Sequence, residues 1–451
     1  MSTIVAIATP RGRGALGIIR LSGSEALRIT CRLTGMLTDL EPRQSTLHSL
    51  RDSRTSEIID QALLTYFKSP HSLTGEDVVE LSCHGSPVVL RRIIDLTVGF
   101  GARLAEPGEF TLRALSNGKL DLAEAEAIRD LISSQTEAAA RQAVRQLNGE
   151  LAATLKPYKN TLLDIIVLLE SVVEFVEDDL PALQIKTIDD SLTSIIDGVD
   201  KLAQSYSVGH LLQDGIQVAI VGSPNAGKSS LFNKLLARER AIVTNVPGTT
   251  RDTLCEPVDI AGIPVLLTDT AGLRVTADGI ENLGMERTYR AISDADLVVV
   301  VVDGTIDSAA QDKTLLHSNL NPNERRIIAL NKCDLPDFNP TADESWGKVL
   351  VRTSAVTGEG LDELRAAILE AFDMSGMDSG SLLVTNARHR DLLLHAQAEL
   401  EMAAELLRRR ASEELVLEPL HHALKYLGEI TGETTTEQIL SQIFSTFCIG
   451  K

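Results

Sequence analysis

The sequence predicts a multidomain chain: an α+β N-terminal domain, an all-α helical domain assembled from two chain segments, and an α/β domain inserted between those segments. Three patterns lead to that reading. Short β-branched runs separated by Gly and Pro turns occupy residues 1–118. Apolar residues at helical spacing occupy 119–214 and return over 376–451, while strand and helix patterns alternate over 215–375. A chain of 451 residues exceeds one ordinary core, and 43% hydrophobic content is ample for two or three.

In the first segment "TIVAIAT", "LGIIRLSG" and "DVVELSCHG" read as strands. His84 follows Cys83 there. Neighbours on a strand point to opposite faces, which favours a strand-end structural role over a thiol–imidazole pair. The pattern changes at "GKLDLAEAEAIRDLISSQTEAAARQAVRQLNGELAATL", where Leu, Ala, Ile and Val line one helical face and Glu, Arg and Gln the other. Pro157 predicts a break or kink, since it lacks the N–H that an interior helical position needs. The acidic "EFVEDDL" reads as a solvated helix end. "GIQVAIVG" opens the alternating segment, which predicts a doubly wound parallel sheet, and "NARHRDLLLHAQAELEMAAELLRRR" returns to the helical pattern.

The five cysteines are scattered without a C-x-x-C pair, which argues against a zinc site or disulfide framework and for a reducing cytoplasm. The N-terminal "MSTIVAIATPRGRG" lacks the pattern of a signal peptide, and the longest apolar runs are strand-sized. A net charge of −20 leaves nucleic-acid binding to a local basic patch or to a partner protein.

"GSPNAGKS", Gly222 to Ser229, fits the P-loop pattern and lies between the apolar "QVAIV" and the helix-forming "SLFNKLL". Glycines let such a loop turn its N–H groups inward onto phosphates, aided by the positive end of the following helix. Lys228 is expected to reach the β- and γ-phosphates and Ser229 to ligate Mg²⁺. "ALNKCD" then supplies Asn331, Lys332 and Asp334. The Asp334 carboxylate can accept both guanine N–H groups, a donor pair adenine lacks, so the site selects GTP. "TSAVTGEG" adds Ser354 and the Ala355 amide, expected to meet the guanine carbonyl. In "LLTDTAGL", Asp269 ends a strand beside the Mg²⁺ shell and Gly272 can present its amide to the γ-phosphate. The inserted segment therefore reads as a Ras-like α/β (P-loop) GTPase domain.

Leu273 stands where Ras-like enzymes carry a water-orienting glutamine, and it can neither donate nor accept a hydrogen bond. Either hydrolysis is negligible, or the water-positioning group lies elsewhere. An arginine finger is worth roughly 10³–10⁵ in rate, so an active enzyme needs comparable charge stabilisation from another source. Local chemistry leaves both readings open.

The sequence resembles the tRNA-modifying GTPase family called MnmE, or TrmE, along essentially its whole length. "ATPRGRGALGIIRLSG", "SLTGEDVVELSCHG", "PGEFTLRA", "GKLDLAEAEAI", "PNAGKSSL", "AIVTNVPGTTRD", "DTAGLR" and the terminal "FCIGK" carry the resemblance, and the first and last lie outside any generic GTPase. The resemblance implies that K⁺ takes the place of an arginine finger, held by the Asn225 side chain and the backbone oxygens of Thr244, Val246 and Thr249. It implies Thr250 as a Mg²⁺ contact beside Ser229, and Glu281 as the catalytic carboxylate that positions water. The nucleotide contacts it implies are Asn225, Ala226, Gly227, Lys228, Ser229 and Ser230, then Thr244, Asn245, Val246, Pro247, Gly248, Thr249 and Thr250. Asp269, Thr270, Ala271 and Gly272 follow, with Asn331, Lys332, Asp334, Ser354 and Ala355 at the base.

By the same resemblance residues 1–118 form a folate-binding and dimerisation domain, and 119–214 and 376–451 form the helical domain around the GTPase domain at 215–375. Arg20, Glu80, Lys119 and Lys451 match positions that contact a tetrahydrofolate one-carbon derivative (formyl or methylene). A pterin offers guanine-like donors to a carboxylate, and the folate tail offers carboxylates to basic groups. The implied activity is K⁺-stimulated GTP hydrolysis in a cytoplasmic homodimer. That dimer acts with an FAD-containing partner (MnmG, also called GidA) to place a carboxymethylaminomethyl-type group on the wobble uridine of certain tRNAs. The alternative is a GTP-dependent switch for ribosome assembly without modification chemistry.

Cys448, the fourth residue counted back from Lys451, raises three readings: a lipid anchor, a working thiol, or a helix end. Lys451 is not a usual terminal residue of a lipidation box, and the nearby "TGETTTEQIL" offers no polybasic second signal. The family resemblance implies a catalytic thiol in uridine modification.

Overall fold

A computed structural model of the chain describes residues 2–36, 40–174, 182–238, 255–269, 292–306, 325–340, 349–374, 381–433 and 436–450. It divides into two compact units. One comprises Met1–Arg129, Gln146–Leu163 and Leu424–Lys451; the other comprises Asp130–Arg145 and Asp164–Ala423.

The first unit is built on six strands: β1 (Ile4–Ile7), β2 (Leu16–Ser22), β3 (Ser45–Arg51), β4 (Ile58–Phe67), β5 (Val78–His84) and β6 (Arg103–Leu104). Their order is β3-β4-β5-β2-β1-β6, and only the β1–β6 pairing is parallel. Period-two alternation separates the two faces of this sheet. Ile19 and Leu21 of β2 join Val79, Leu81 and Cys83 of β5 in a core with α1 (Ala26–Thr34) and α2 (Pro87–Gly99). Arg20 and Glu80 take the opposite face, directly across from each other in register. That face carries a smaller core, in which Phe110 of α3 (Glu109–Ser116) is fully buried with Ile4, Ala6 and Ala105. Truncating such a phenylalanine costs about 3–5 kcal/mol.

Charge also pins α3. Arg113 donates to Glu109 Oε1 and to Glu76 Oε2, each at 2.8 Å, and to the Ser2 carbonyl at 2.8 Å; Arg103 pairs with the same Glu109. Burial pushes the Glu109 carboxyl up, but bonds from Arg103, the Glu106 amide and Arg113 outweigh it and leave the group below the usual carboxylate range. The "PGEFTLRA" stretch thus reads as a buried charge network under the sheet.

Beyond α3 the chain is helical: α4 (Leu122–Ser133), α5 (Glu137–Leu147), α6 (Glu150–Glu174) and α7 (Ala182–Asp214). The break or kink expected at Pro157 is not realised as a break, because α6 continues through it. Leu151, Leu155 and Leu162 flank the proline and are buried. About 2 kcal/mol from each of these side chains outweighs the cost of about 3 kcal/mol for an interior proline. The "EFVEDDL" stretch, after Glu174, lies outside the described residues.

In the second unit β7 (Ile216–Gly222) opens the α/β sheet. It is followed by α8 (Lys228–Arg238), β8 (Cys255–Ile260), β9 (Ile263–Asp269), β10 (Leu297–Asp303), β11 (Arg325–Asn331), β12 (Val349–Arg352) and α9 (Leu361–Glu370). The order is β12-β11-β10-β7-β9-β8, parallel except for the edge strand β8. Every residue of "LVVVVVD" in β10 is buried, which explains a continuous apolar run in place of alternation. Chain order reverses beside β7, so the crevice at its carboxyl end is the switch point where such sheets bind ligands. Two more helices follow, α10 (Ala387–Arg408) and α11 (Glu413–Thr431). The Asn386 side chain caps α10 by accepting from Arg388 N–H at 2.9 Å. His389, Leu393, Ala396, Leu400, Ala403 and Leu407 form its buried stripe. Among the described residues no helix is long and apolar enough to cross a membrane.

Candidate nucleotide and ligand sites

The P-loop leaves the carboxyl end of β7 and enters α8 at Lys228. Asn225 stands in the left-handed region at φ 65° with its side chain exposed, and Ser229 and Ser230 are exposed at the start of α8. Lys228 is 8% exposed and donates to the carbonyls of Gly222 and Ser223, each at 2.8 Å. It therefore braces the loop from which it is expected to reach phosphate.

Asn331 ties this loop to the Ser354–Ala355 segment expected to meet the base. Its side chain is 1% exposed; Nδ2 donates to the Ala226 carbonyl at 2.8 Å, and Oδ1 accepts from Ala355 N–H at 3.1 Å. Gly227 has to be glycine here, because its φ is +95° and a Cβ would lie 2.2 Å from Asn331 Nδ2. The Ala355 amide, expected to meet the guanine carbonyl, is thus engaged within the protein. An amide carries one hydrogen, so it can serve a base only by sharing or leaving Asn331.

Lys332, at φ 70°, pairs with Asp303 at the end of β10. Asp303 also accepts from the Thr305 amide at 3.0 Å and the Thr305 hydroxyl at 2.7 Å. Burial raises its carboxyl pKa, while Lys332 and Thr305 lower it further, so the group sits below its ordinary range. Asp334 is exposed beside it. Ser354 is buried, and its hydroxyl accepts from the amides of Val356 at 3.3 Å and Thr357 at 3.0 Å. The sequence reading missed Asp303, whose signal was an aspartate–glycine step closing an all-apolar strand.

Asp269 is described by its backbone alone, as the last residue of β9, paired with Ile220. Thr244, Asn245, Val246, Pro247, Gly248, Thr249, Thr250, Thr270, Ala271, Gly272, Leu273 and Glu281 lie outside the described residues, as does Lys451.

In the first unit the structure brings Arg20, Glu80 and the chain's last described residues together. Arg20 Nε and Nη2 both reach Glu80 Oε1 at 2.8 Å, Nη1 donates to the Gly450 carbonyl at 3.3 Å, and the guanidinium lies 5.8 Å from the Phe110 ring centroid. Among the described residues Glu80 Oε2 accepts from no group, so the pair presents a carboxylate oxygen beside a cation. That donor set fits a ligand with N–H groups at one end and anionic oxygens at the other. Lys119 is exposed; a Cβ at Gly75 would lie 3.1 Å from its Cε, so its stem runs along the 72–77 loop. Cys448 is exposed, just beyond the buried Phe444 and Phe447, which pack with Leu122 and Ala125.

Cys83 and His84 part as strand geometry requires. Burial, then the nearby Asp60 charge, pushes the Cys83 thiol up to about 12. His84 is exposed and its Nδ1 lies 2.6 Å from Asp60 Oδ1.

Comparison with known proteins adds a further finding. A family model described as the MnmE helical domain matches residues 122–448, and one described as the GTP-binding protein TrmE N-terminus matches residues 3–119. A tRNA modification GTPase MnmE from Koribacter versatilis (strain Ellin345) is 44% identical over 454 residues, covering 100% of this chain and 99% of the relative. That of Aquifex aeolicus (strain VF5) is 42% identical over 449 residues, covering 99% of each chain. That of Nitrosomonas europaea is 44% identical over 450 residues, covering 100% and 99%.

Proposed function

The chain belongs to the MnmE family of tRNA modification GTPases, and from that premise we propose that it hydrolyses GTP with K⁺ stimulation to drive modification of the wobble uridine in certain tRNAs. It works as a cytoplasmic homodimer with an FAD-containing partner (MnmG/GidA). Tetrahydrofolate, when bound, would supply the one-carbon unit for a carboxymethylaminomethyl-type group. A basic surface on the partner offsets the −20 charge of this chain toward tRNA.

In the nucleotide half, Lys228 and the P-loop amides hold the phosphates, and Asp334 selects guanine. Asn331 keeps the two loops in register. Ser229 and Thr250 would hold Mg²⁺; Asn225 with the backbone oxygens of Thr244, Val246 and Thr249 would hold K⁺. The exposed amide of Asn225 at the loop's left-handed turn suits a hard alkali cation. When bound, these ions would supply the charge neutralisation that a finger arginine gives in other GTPases. Glu281 positions the attacking water in place of the glutamine replaced by Leu273. Turnover opens and closes the dimer, a conformational role.

In the modification half, Glu80 would hold the pterin donors, and Arg20, Lys119 and Lys451 would hold the anionic tail. The observation that carries this half is the bond from Arg20 to the Gly450 carbonyl, since it brings the Cys448 tail to the Arg20–Glu80 pair. Replacing Cys448 with serine tests the reading. GTP hydrolysis should persist while modified uridine, measured by nucleoside mass analysis, falls at least tenfold; undiminished modification would remove the thiol from the mechanism.

A further inference from the structure

The tail that carries Cys448 is held at three points. Ile449 forms an antiparallel bridge with Pro107, and the Gly108 N–H donates to the Cys448 carbonyl at 3.4 Å. Gly450, at φ +99°, lies so close to β1 that a Cβ would be 2.5 Å from the Ile7 carbonyl oxygen. The third point is the Arg20 Nη1 bond to the Gly450 carbonyl at 3.3 Å.

Arg20 is itself fixed on two sides, by Glu80 through Nε and Nη2 and by the Phe110 ring. One arm of the fork remains, and it points at the chain end. The tail before Cys448 is anchored by the buried Phe444 and Phe447, and the thiol-bearing residue is exposed. Its place is set by the backbone around it: aromatic anchors before it, the Gly108 bond to its own carbonyl, and the Ile449 bridge and Arg20 tether after it.

We infer that Arg20 is a positioning residue for Cys448, acting through the Gly450 carbonyl, in addition to its expected contact with a ligand. The inference rests on the reading of Cys448 as the working thiol. A guanidinium can serve Glu80 and Gly450 together because its donors diverge in a rigid plane. A lysine ammonium concentrates its donors at one point and cannot span both. Arg20→Lys therefore separates the two roles, since it keeps the cation for a ligand carboxylate and loses the tether.

Hydrogen exchange of the full-length protein without folate or tRNA reads the tether directly. In Arg20→Lys and Arg20→Gln, amides of the peptide spanning 444–450 should exchange about tenfold faster, as loss of one charge-assisted bond implies, while β4 peptides keep their wild-type rates. Wild-type exchange of the tail in both variants would overturn the inference. The second readout is uridine modification titrated with 5-formyltetrahydrofolate. Arg20→Lys should stay slow at saturation, a loss in kcat; full recovery at high ligand, a pure KM effect, would also overturn it. If the wild-type protein binds no 5-formyltetrahydrofolate, the folate reading fails, and the exchange experiment still decides the tether by itself.

Discussion

Removing the Asn331 side chain should uncouple phosphate binding from base recognition. Asn331→Ala deletes the 2.8 Å bond to the Ala226 carbonyl and the 3.1 Å bond from the Ala355 amide. Ala226 is 1% exposed, so its carbonyl gains no water in exchange. A buried group left unpaired costs about 1–3 kcal/mol, and the half-buried Ala355 amide adds about 0.5–1 kcal/mol. A loss of about 2–3 kcal/mol corresponds to a Kd for GDP raised about 30- to 150-fold. Titration with a fluorescent GDP analogue in Mg²⁺ measures it, alongside thermal unfolding to confirm that the sheet persists. Gly227→Ala should act through the same bond, because its Cβ would displace Asn331 Nδ2. The double variant should then fall well short of the sum of the two. A change in Kd below threefold for Asn331→Ala in a folded protein would refute the assignment of Asn331 as the tie between the loops.

Further outcomes follow from the charges and ions. Asp303, held below its ordinary range by Lys332 and Thr305, contributes stability that is fully present above its unfolded pKa of about 3.9 and is lost as pH falls through the lower folded value. Asp303→Asn should therefore destabilise β10 and β11 by about 2 kcal/mol at pH 7. The difference from wild type should hold down to about pH 5 and shrink below about pH 4, read by urea unfolding across pH; a difference that grows in acid contradicts the sign. GTP hydrolysis in K⁺ should exceed that in Na⁺ at equal ionic strength by at least tenfold, and Asn225→Ala should abolish the preference. Equal rates in the two salts would leave the cation in place of a finger without support.

Much of the α/β sheet was legible because its signals are local. "VAIV", "LVVVVV" and "IIAL" lie in strands buried on both faces, and a sequence shows that as unbroken apolar runs. The P-loop and N-K-x-D segments announce themselves because a phosphate and a guanine each demand particular residues at fixed spacing. Legibility ended where partners are distant in the chain. Arg20 and Gly450 are 430 residues apart, and nothing in "GIIRLSG" marks its arginine as facing a chain end. At Pro157 no break forms, because local propensity yields to packing when Leu151, Leu155 and Leu162 are all buried around it. The role of Asn331 as a bridge, and with it the engagement of the Ala355 amide, depends on two loops meeting, which spacing alone cannot report.

Coupling between nucleotide turnover and tRNA chemistry is tested most directly by one measurement. Modified wobble uridine is quantified after incubation of tRNA with this chain and the proposed FAD-containing partner, in GTP or in a non-hydrolysable GTP analogue. Product should accumulate in GTP and stay at background in the analogue; equal yields in the two would mean that hydrolysis is not what drives the modification.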